Sequence, residues 1–453
     1  MTTLAGGHLV DLGTFDEWTG AWSSSTPRDA DKLTSWQLDQ AWSLVETVDR
    51  DNPFYRDRLE PPHDRDPKAF CSLWVTTKQD VVEDCEGHPP YGSRTVAQPA
   101  DIRMVVHTSG TSGRGMAVYA LDADDLAAII RTEAVGFLWA GIGEGTRVLF
   151  TLPIGMTAAG LWYSSALRSI GANVFSVGPY PTERKVELLR QFQPEVVVGT
   201  PTYVQRLAVA CDDAGLPPES SSVETLIVAG QAFSLPWARA IETRWGATLY
   251  EQYGCTERAI AWTCPGGVVK GDSLGVLHFP PEAGYYEVID PESGEPVGHG
   301  ETGELIITPF GADVSPLVRY ATGDRVSWMA PGSCPCERPL AGIAAGAVER
   351  YDDMMKIRGV NVWPASFDEA VFAVEAVNDY RGTVWVDKDG SERVEIRAEG
   401  GGDPDSLAEA LSVSIHRVTG LRVEVRMEPP GTLAREVPEG FVKIKRFQVE
   451  TLR

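Results

Sequence analysis

The chain has 453 residues, 43% hydrophobic and 23% charged, which is the balance of a globular chain long enough for more than one domain. A formal net charge of −24 excludes a broad surface for nucleic acid or anionic lipid, and no apolar run approaches the roughly 20 residues that span a bilayer. The opening "MTTLAGGHLVDLGTFDEW" has no basic segment ahead of a greasy one, so no export signal is read and the expected compartment is the cytoplasm.

Residues 30–100 read as helices and loops, with "SWQLDQAWSLVETV" placing apolar side chains near helical spacing. From about 103 to 345, strand-like runs alternate with amphipathic ones. "MVVHTS", "RVLFTLP", "NVFSVG", "VVVGTP" and "TLIVAG" read as strands, separated by helical "ADDLAAIIRTEAVGFLWAG", "LWYSSALRSIG", "RKVELLRQFQ" and "TYVQRLAVACDDAG". That rhythm predicts βα units around a largely parallel, buried sheet. "YYEVIDPESGEPV" and "GELIITPF" read instead as antiparallel strands joined by turns. Near residue 350 the texture changes, and "GTVWVD", "RVEIRAE" and "RVEVRME" with two helices predict a small α+β unit.

Four stretches carry chemistry. "HTSGTSGRGM" packs glycines among hydroxyls after a predicted strand, a composition that turns backbone N–H groups and Ser or Thr donors toward phosphate oxygens. No Gly-Lys-Ser/Thr follows, so it is not the loop of the P-loop NTPases. The others are "YEQYGCTE", "RYATGDRV" and "DDMMKIRGVNVWP". Each alone is a weak signal. In this order and spacing they resemble the adenylate-forming superfamily of acyl- and aryl-CoA ligases, and most closely its phenylacetate–CoA ligase branch, which "VDRDNPFYRDRL" and "LWVTTKQDV" also resemble.

The resemblance implies an α/β fold. Residues 1–350 would form a large adenylation domain with mostly parallel sheets and an antiparallel subregion, and 351–453 a small mobile α+β domain. It implies that ATP and a carboxylic acid give an acyl adenylate and pyrophosphate, and that CoA thiol then displaces AMP. Thr108, Ser109, Gly110, Thr111, Ser112, Gly113 and Arg114 would form the loop that grips departing pyrophosphate, with Arg114 where the family usually has lysine. Thr256 would contact the α-phosphate, and Glu257 would contact Mg²⁺, a hard cation that takes carboxylate oxygens. Tyr253 would stack near the adenine, Gly230 and Gln231 would line the base, and Gly254 would belong to the same cofactor site. Asp324 would accept from the ribose hydroxyls, because a carboxylate can receive two donors at once. Arg350 would make a second ribose and phosphate contact.

Asp352 is the hinge candidate, since it sits between the two textures where a few residues must absorb a domain rotation. Gly359 would face the CoA channel, where a side chain would obstruct the pantetheine arm. Near the end, "EGFVKIKRFQ" resembles the family's "GKIxRF", which puts Lys443 on the lysine that bridges the carboxylate and α-phosphate. Family placement puts the acid among Gly155, Met156, Thr157, Ala158, Gly199, Thr200, Pro201 and Cys255, whose small and apolar character suits a flat aryl or compact acyl group.

Seven scattered cysteines do not make a disulfide framework. "TCPGG…GVLHFP…GSCPCERP" supplies Cys264, His278, Cys334 and Cys336, a set that can close a Cys₃His tetrahedron around structural Zn²⁺. Some members of the branch resemble this arrangement. The leading expectation is an AMP-forming ligase of an aromatic or related acid, using ATP, Mg²⁺ and CoA, with no nucleic-acid or membrane partner and with a homodimer admitted. Two alternatives stay open. One keeps adenylation but passes the acyl group to an amine or carrier thiol, or activates nitrite to diazotise an aryl amine; the other is a degenerate nucleotide-binding protein.

Overall fold

In the computed structural model, residues 2–3, 9–10, 14–108, 115–155, 158–374, 376–387, 392–436 and 446–450 are described. Helix α1 (Ala30–Asp51) begins where Asp29 accepts from the Lys32 N–H at 3.1 Å, an N-cap that satisfies one of the open amides of the first turn. Strands β1 (Met104–His107) and β2 (Val118–Leu121) pair antiparallel on either side of the Gly-rich stretch. Helix α2 (Ala123–Trp139) is capped by Asp122, whose carboxylate takes the N–H groups of Asp124 and Asp125 at 3.0 and 2.9 Å.

The predicted βα rhythm then follows in order: β3 (Arg147–Phe150), α3 (Ala158–Ser169), β4 (Asn173–Ser176), α4 (Thr182–Phe192), β5 (Val196–Gly199), α5 (Pro201–Asp213), β6 (Thr225–Ala229), α6 (Leu235–Trp245) and β7 (Thr248–Gly254). These strands pair in parallel in the order β4-β3-β5-β6-β7. Parallel strands covered on both faces need continuous apolar side chains, and every residue of "VVVG" in β5 is buried.

After β7 the direction of pairing changes. Strands β8 (Ile260–Thr263), β9 (Val276–His278), β10 (Gly284–Ile289), β11 (Thr302–Pro309), β12 (Tyr320–Met329), β13 (Gly342–Ala344) and β14 (Glu349–Arg350) extend the same sheet in antiparallel fashion. The sheet has 12 strands in the order β10-β11-β12-β13-β9-β8-β7-β6-β5-β3-β4, with β14 on β12. It is of mixed orientation, and the antiparallel subregion takes the larger share of it, where the sequence rhythm emphasised the parallel part. The reason is local: short strands joined by turns, such as "GVLHFP" and "AGIAAG", carry little periodicity of their own.

The smaller C-terminal domain is α+β, as expected. A hairpin, β15 (Met355–Ile357) and β16 (Val360–Val362), leads to α7 (Pro364–Phe372), β17 (Val377–Val386), β18 (Glu392–Gly400), α8 (Pro404–Thr419), β19 (Glu424–Glu428) and β20 (Phe447–Glu450). The sheet order is β19-β18-β17-β20, and the Ser414 hydroxyl of α8 donates to the Ala370 carbonyl of α7 at 2.7 Å. Polar contacts join it to the rest of the chain: Gln205 donates to the Asn378 carbonyl at 3.4 Å, Arg435 pairs with Asp213 at 3.0 Å, and the Arg325 guanidinium lies 4.6 Å over the Trp363 ring. Among the described residues no helix is long and apolar enough to cross a membrane.

Candidate active site

Four groups of the predicted residues lie at the carboxyl ends of the parallel strands, the edge where open α/β sheets bind ligands. Gly155 follows β3, Gly199 ends β5 ahead of Thr200 and Pro201, Gly230 and Gln231 follow β6, and Gly254 ends β7 ahead of Cys255 to Glu257. β4 and β5 lie on opposite sides of β3, so the crevice between Gly155 and Gly199 is a topological switch point. Close backbone approach there depends on Gly199, since a Cβ would fall 2.8 Å from the Thr151 hydroxyl. Thr200 caps α5, accepting from the Tyr203 N–H at 3.3 Å with Pro201 in the first turn, and Ala158 is buried at the start of α3. The Gln231 carbonyl oxygen accepts from the Thr202 hydroxyl at 2.8 Å, which ties the β6 end to α5.

The β7–β8 connection is tight. Arg258 N–H donates to the Cys255 carbonyl at 3.0 Å, and Arg258 holds a left-handed φ of 74°. Its buried guanidinium reaches the Gly311 carbonyl, which fixes the turn against the loop after β11. Thr256 and Glu257 are thereby presented at the strand end. Glu257 Oε1 receives the hydroxyls of Tyr320 at 3.0 Å and Tyr119 at 3.4 Å. Burial, reinforced by the Glu257 charge, pushes both tyrosines well above their ordinary range, so both remain donors.

A second carboxylate lies beside the first. Tyr253 donates to Asp324 Oδ2 at 2.5 Å, and Arg350 stands 3.7 Å from Asp324 Oδ1. Asp324 of β12 and Arg350 of β14 are register partners, so the pairing is set by the sheet itself. Tyr253 therefore orients Asp324 through its hydroxyl, a contact that adenine stacking alone does not describe. Burial pushes the Cys255 thiol well above its ordinary value, and Glu257 and Asp324 add repulsion, so Cys255 is a neutral thiol.

A family model described as "AMP-binding enzyme" matches residues 28–311, well over half of the chain. The chain belongs to the AMP-binding enzymes. Within them it falls in the adenylate-forming, phenylacetate–coenzyme A ligase-like branch. A phenylacetate–coenzyme A ligase of Thermus thermophilus is 30% identical over 403 residues, covering 87% of this chain and 84% of the relative. That of Pseudomonas putida is 28% identical over 427 residues, covering 89% and 92%. Among solved structures, a 2-hydroxyisobutyryl-CoA ligase in the postadenylation state overlays with a TM-score of 0.82 at 20% identity, covering 96% of this chain and 95% of that one, which shows the fold.

Other predicted residues of this AMP-binding enzyme fall at the edge of what is described. Ser109, Gly110, Thr111, Ser112, Gly113, Arg114, Met156, Thr157 and Lys443 lie outside the described residues. The base of the Gly-rich loop is described: Thr108 is buried, and its N–H and hydroxyl bond across to Ala117 at 3.0 and 3.2 Å. Asp352 lies in a single 3₁₀ turn, Tyr351–Asp353, between β14 and β15. Gly359 is the second residue of the β15–β16 turn with φ of 81°, after Arg358 at 50°. A Cβ on Gly359 would meet nothing within 4 Å, so here the glycine answers a backbone requirement and not crowding.

Cys264, His278, Cys334 and Cys336 do come together, with all four ligand atoms within 4.8 Å of one another. Cys264 follows β8, His278 ends β9, and the other two lie in the β12–β13 loop. Cys264 Sγ is 3.9 Å from Cys334 Sγ, and Cys336 Sγ is 3.3 Å from His278 Nε2. A tetrahedron with Zn–S near 2.3 Å has S···S edges of about 3.8 Å, so the spacing fits zinc. The His278 Nδ1 faces the Leu340 carbonyl at 3.4 Å, the outer contact that leaves Nε2 for a metal.

Sequence reasoning missed Tyr119 and Tyr320. Each lay inside a motif neighbourhood already singled out, Tyr119 just past the Gly-rich loop and Tyr320 at the head of "YATGD". The signal was a phenol in a strand otherwise destined for the core.

Proposed function

We propose that this AMP-binding enzyme is an AMP-forming acid–CoA ligase acting on an aromatic carboxylic acid. The observation that carries the reading is the pair of buried carboxylates, Glu257 and Asp324, each oriented by tyrosine hydroxyls at the strand ends beside Arg350. In the first half-reaction a substrate carboxylate oxygen attacks the α-phosphorus of ATP. The O–P bond forms as the bond to the β-phosphate bridge breaks, and pyrophosphate leaves. In the second, the CoA sulfur attacks the acyl carbon, AMP leaves with the C–O bond's electrons, and the thiol proton passes to solvent.

Asp324, held by Tyr253, accepts the ribose hydroxyls, and Arg350 balances charge between ribose and α-phosphate. Thr256 donates to the α-phosphate. Glu257 is the carboxylate fitted to Mg²⁺: Tyr119 and Tyr320 fix its orientation, and the ion would supply neutralisation of phosphate charge on this acidic chain. Thr108 to Arg114 hold the β- and γ-phosphates, with Gly230, Gln231 and Gly254 around the base. Lys443 bridges the carboxylate and α-phosphate. Gly155 to Ala158, Gly199 to Pro201 and Cys255 surround the acid. The domains divide at 350/351 and turn about Asp352, bringing Gly359 to the pantetheine arm for the second half-reaction. The Cys₃His set would hold Zn²⁺ with no open position, joining β8, β9 and the β12–β13 loop. A cytoplasmic chain that pairs as a homodimer is part of the same reading, and the net charge supports the absence of nucleic-acid and anionic-membrane partners.

The two relatives named above, which match along most of their length, are coenzyme A ligases, so an amine, a carrier thiol or nitrite is not favoured as the alternative. The test is incubation with ATP, Mg²⁺ and a panel of aromatic acids, with and without CoA. Acid-dependent pyrophosphate exchange without CoA, and AMP plus a thioester with it, are expected. Exchange that no acid stimulates would overturn the reading, and AMP release that never responds to CoA would remove its second half.

A further inference from the structure

We propose that Arg325 and Glu349 are positioning residues for the first half-reaction: they hold Trp363 and the start of α7, and so keep the C-terminal domain in the orientation in which the adenylate forms. This rests on the reading that Lys443 acts in adenylation and that Gly359 serves the thioester step.

Strands β12 and β14 meet over two residue pairs, Asp324 with Arg350 and Arg325 with Glu349. Neighbours along a strand face opposite ways, so the two pairs point to opposite sides of the ladder. Asp324 and Arg350 are the pair expected to meet the ribose. On the other side Arg325 Nη1 lies 2.7 Å from Glu349 Oε2, and both side chains reach the C-terminal domain. The Arg325 guanidinium sits over the Trp363 ring at 4.6 Å, and the Glu349 carboxylate accepts the Ala365 N–H.

The start of α7 explains why a cap comes from the other domain. Trp363 occupies the N-cap position with no side-chain oxygen to offer, and Pro364 follows it. The open amide of Ala365 is left to Glu349, whose side chain is only 9% exposed and whose charge suits the positive end of a helix. Trp363 presents its ring to Arg325 instead.

Helix α7 carries this hold onward. Asp368, one turn past Ala365, accepts from Arg446 Nη1 at 2.8 Å and from the Tyr380 hydroxyl at 2.5 Å. Arg446 is three residues after Lys443, a span of about 10 Å at most. The helix thus ties the Glu349 contact to the stretch of chain that carries Lys443. The hairpin expected to serve the second half-reaction is meanwhile turned to solvent. Arg358 to Asn361 are exposed, the apolar Val360 to 41%, and Arg358 bonds within its own domain to the Glu392 and Arg422 carbonyls, each at 3.0 Å. Both holds can break in every cycle, because a guanidinium over a partly exposed ring and a carboxylate at a helix start each shift an equilibrium by only about a few-fold.

The experiment measures the two half-reactions separately in the full chain carrying Arg325→Met, Glu349→Gln, Trp363→Leu or Trp363→Phe. Acid-dependent pyrophosphate exchange reports the first, and thioester formation from synthetic acyl adenylate and CoA reports the second. Arg325→Met and Trp363→Leu should each lower exchange about 5-fold, while thioester formation stays within about two-fold or rises. Glu349→Gln keeps an acceptor for Ala365 and should lower exchange less. Trp363→Phe, which keeps a ring face for Arg325, should retain most of it. Domain orientation is read independently, by energy transfer between dyes placed through unnatural amino acids at Asp272 and Val413, both exposed. The unsubstituted chain should give one dominant distance, and Arg325→Met and Trp363→Leu a broader spread. Equal losses in both half-reactions, acid-stimulated exchange that none of the variants lowers, or a distance distribution that none of them broadens would overturn the proposal. A chain whose exchange no acid stimulates, but whose distribution these variants broaden, would support the hold and count against the ligase reading alone.

Discussion

The two ends of strand β8 carry opposite kinds of polar cluster. At one end, Cys264 meets His278, Cys334 and Cys336, and every ligand atom faces the others within 4.8 Å. At the other, in the β7–β8 turn and beside it, Glu257 takes two tyrosine hydroxyls and Asp324 one, while Gly254 and part of Arg350 stay open to solvent. The first arrangement is closed on itself and has nothing to offer a substrate. The second leaves charge and hydrogen-bonding capacity directed outward from a rigid strand end. On the proposed reading one hairpin would separate a stabilising role from a reactive one, and the separation can be tested from either end.

The largest effects are expected at the open end. Lys443→Ala and Glu257→Gln should each lower acid-dependent pyrophosphate exchange by about 100-fold or more, or about 2.7 kcal/mol of transition-state stabilisation. Glu257→Gln keeps an acceptor for Tyr119 and Tyr320, so the thermal unfolding midpoint should stay within a degree or two. A matching loss of stability would mean that the carboxylate holds the fold, and the contrast between the two ends would fail. Asp324→Asn comes next. It weakens a charge-assisted contact to the ribose, so KM for ATP should rise about 10-fold with a smaller change in kcat.

At the closed end the pattern should reverse. Removal of zinc by a strong chelator, or Cys264→Ser, should lower the unfolding midpoint by roughly 5–10 °C, because a structural metal contributes directly to folding. Activity measured well below that midpoint should change by less than about three-fold. Activity lost without any shift in unfolding would move the cluster out of its structural role. Metal analysis of the purified protein gives the accompanying check, with about one zinc per chain expected.

The sequence carried the βα rhythm well, because buried parallel strands such as "VVVG" announce themselves as unbroken apolar runs between amphipathic helices. The Cys₃His set was also legible, since thiols and imidazole are rare enough for their spacing to count. The share of antiparallel strands was harder to read, as β9 and β13 span only three residues each. Least visible were contacts between distant segments. Glu133 lies 119 residues before Gln252, and in "ADDLAAIIRTEAVGFLWAG" it passes for one more polar residue on an amphipathic helix. The one hint was an acid followed by Ala and Val inside a helix whose later half is almost wholly apolar. Tyr119 and Tyr320 were hidden for the same reason: a strand tyrosine announces burial, and only the fold shows which carboxylate its hydroxyl meets.

The smallest effect concerns Gly359, where sequence and structure supply different reasons for the same residue. With φ at 81° and nothing within 4 Å of a built Cβ, Gly359→Ala should strain the turn by about 1 kcal/mol and cause no clash. If backbone conformation is the whole requirement, a small fall in the stability of the C-terminal domain follows, and both half-reactions slow together by less than about two-fold. If the pantetheine arm also passes over this turn, thioester formation falls several-fold further than pyrophosphate exchange. The ratio of the two rates separates these outcomes, since strain in the turn acts on both steps whereas a methyl group in the thiol's path acts only on the second. The second outcome is expected, because the hairpin lies just beyond the 3₁₀ turn about which the domain would rotate.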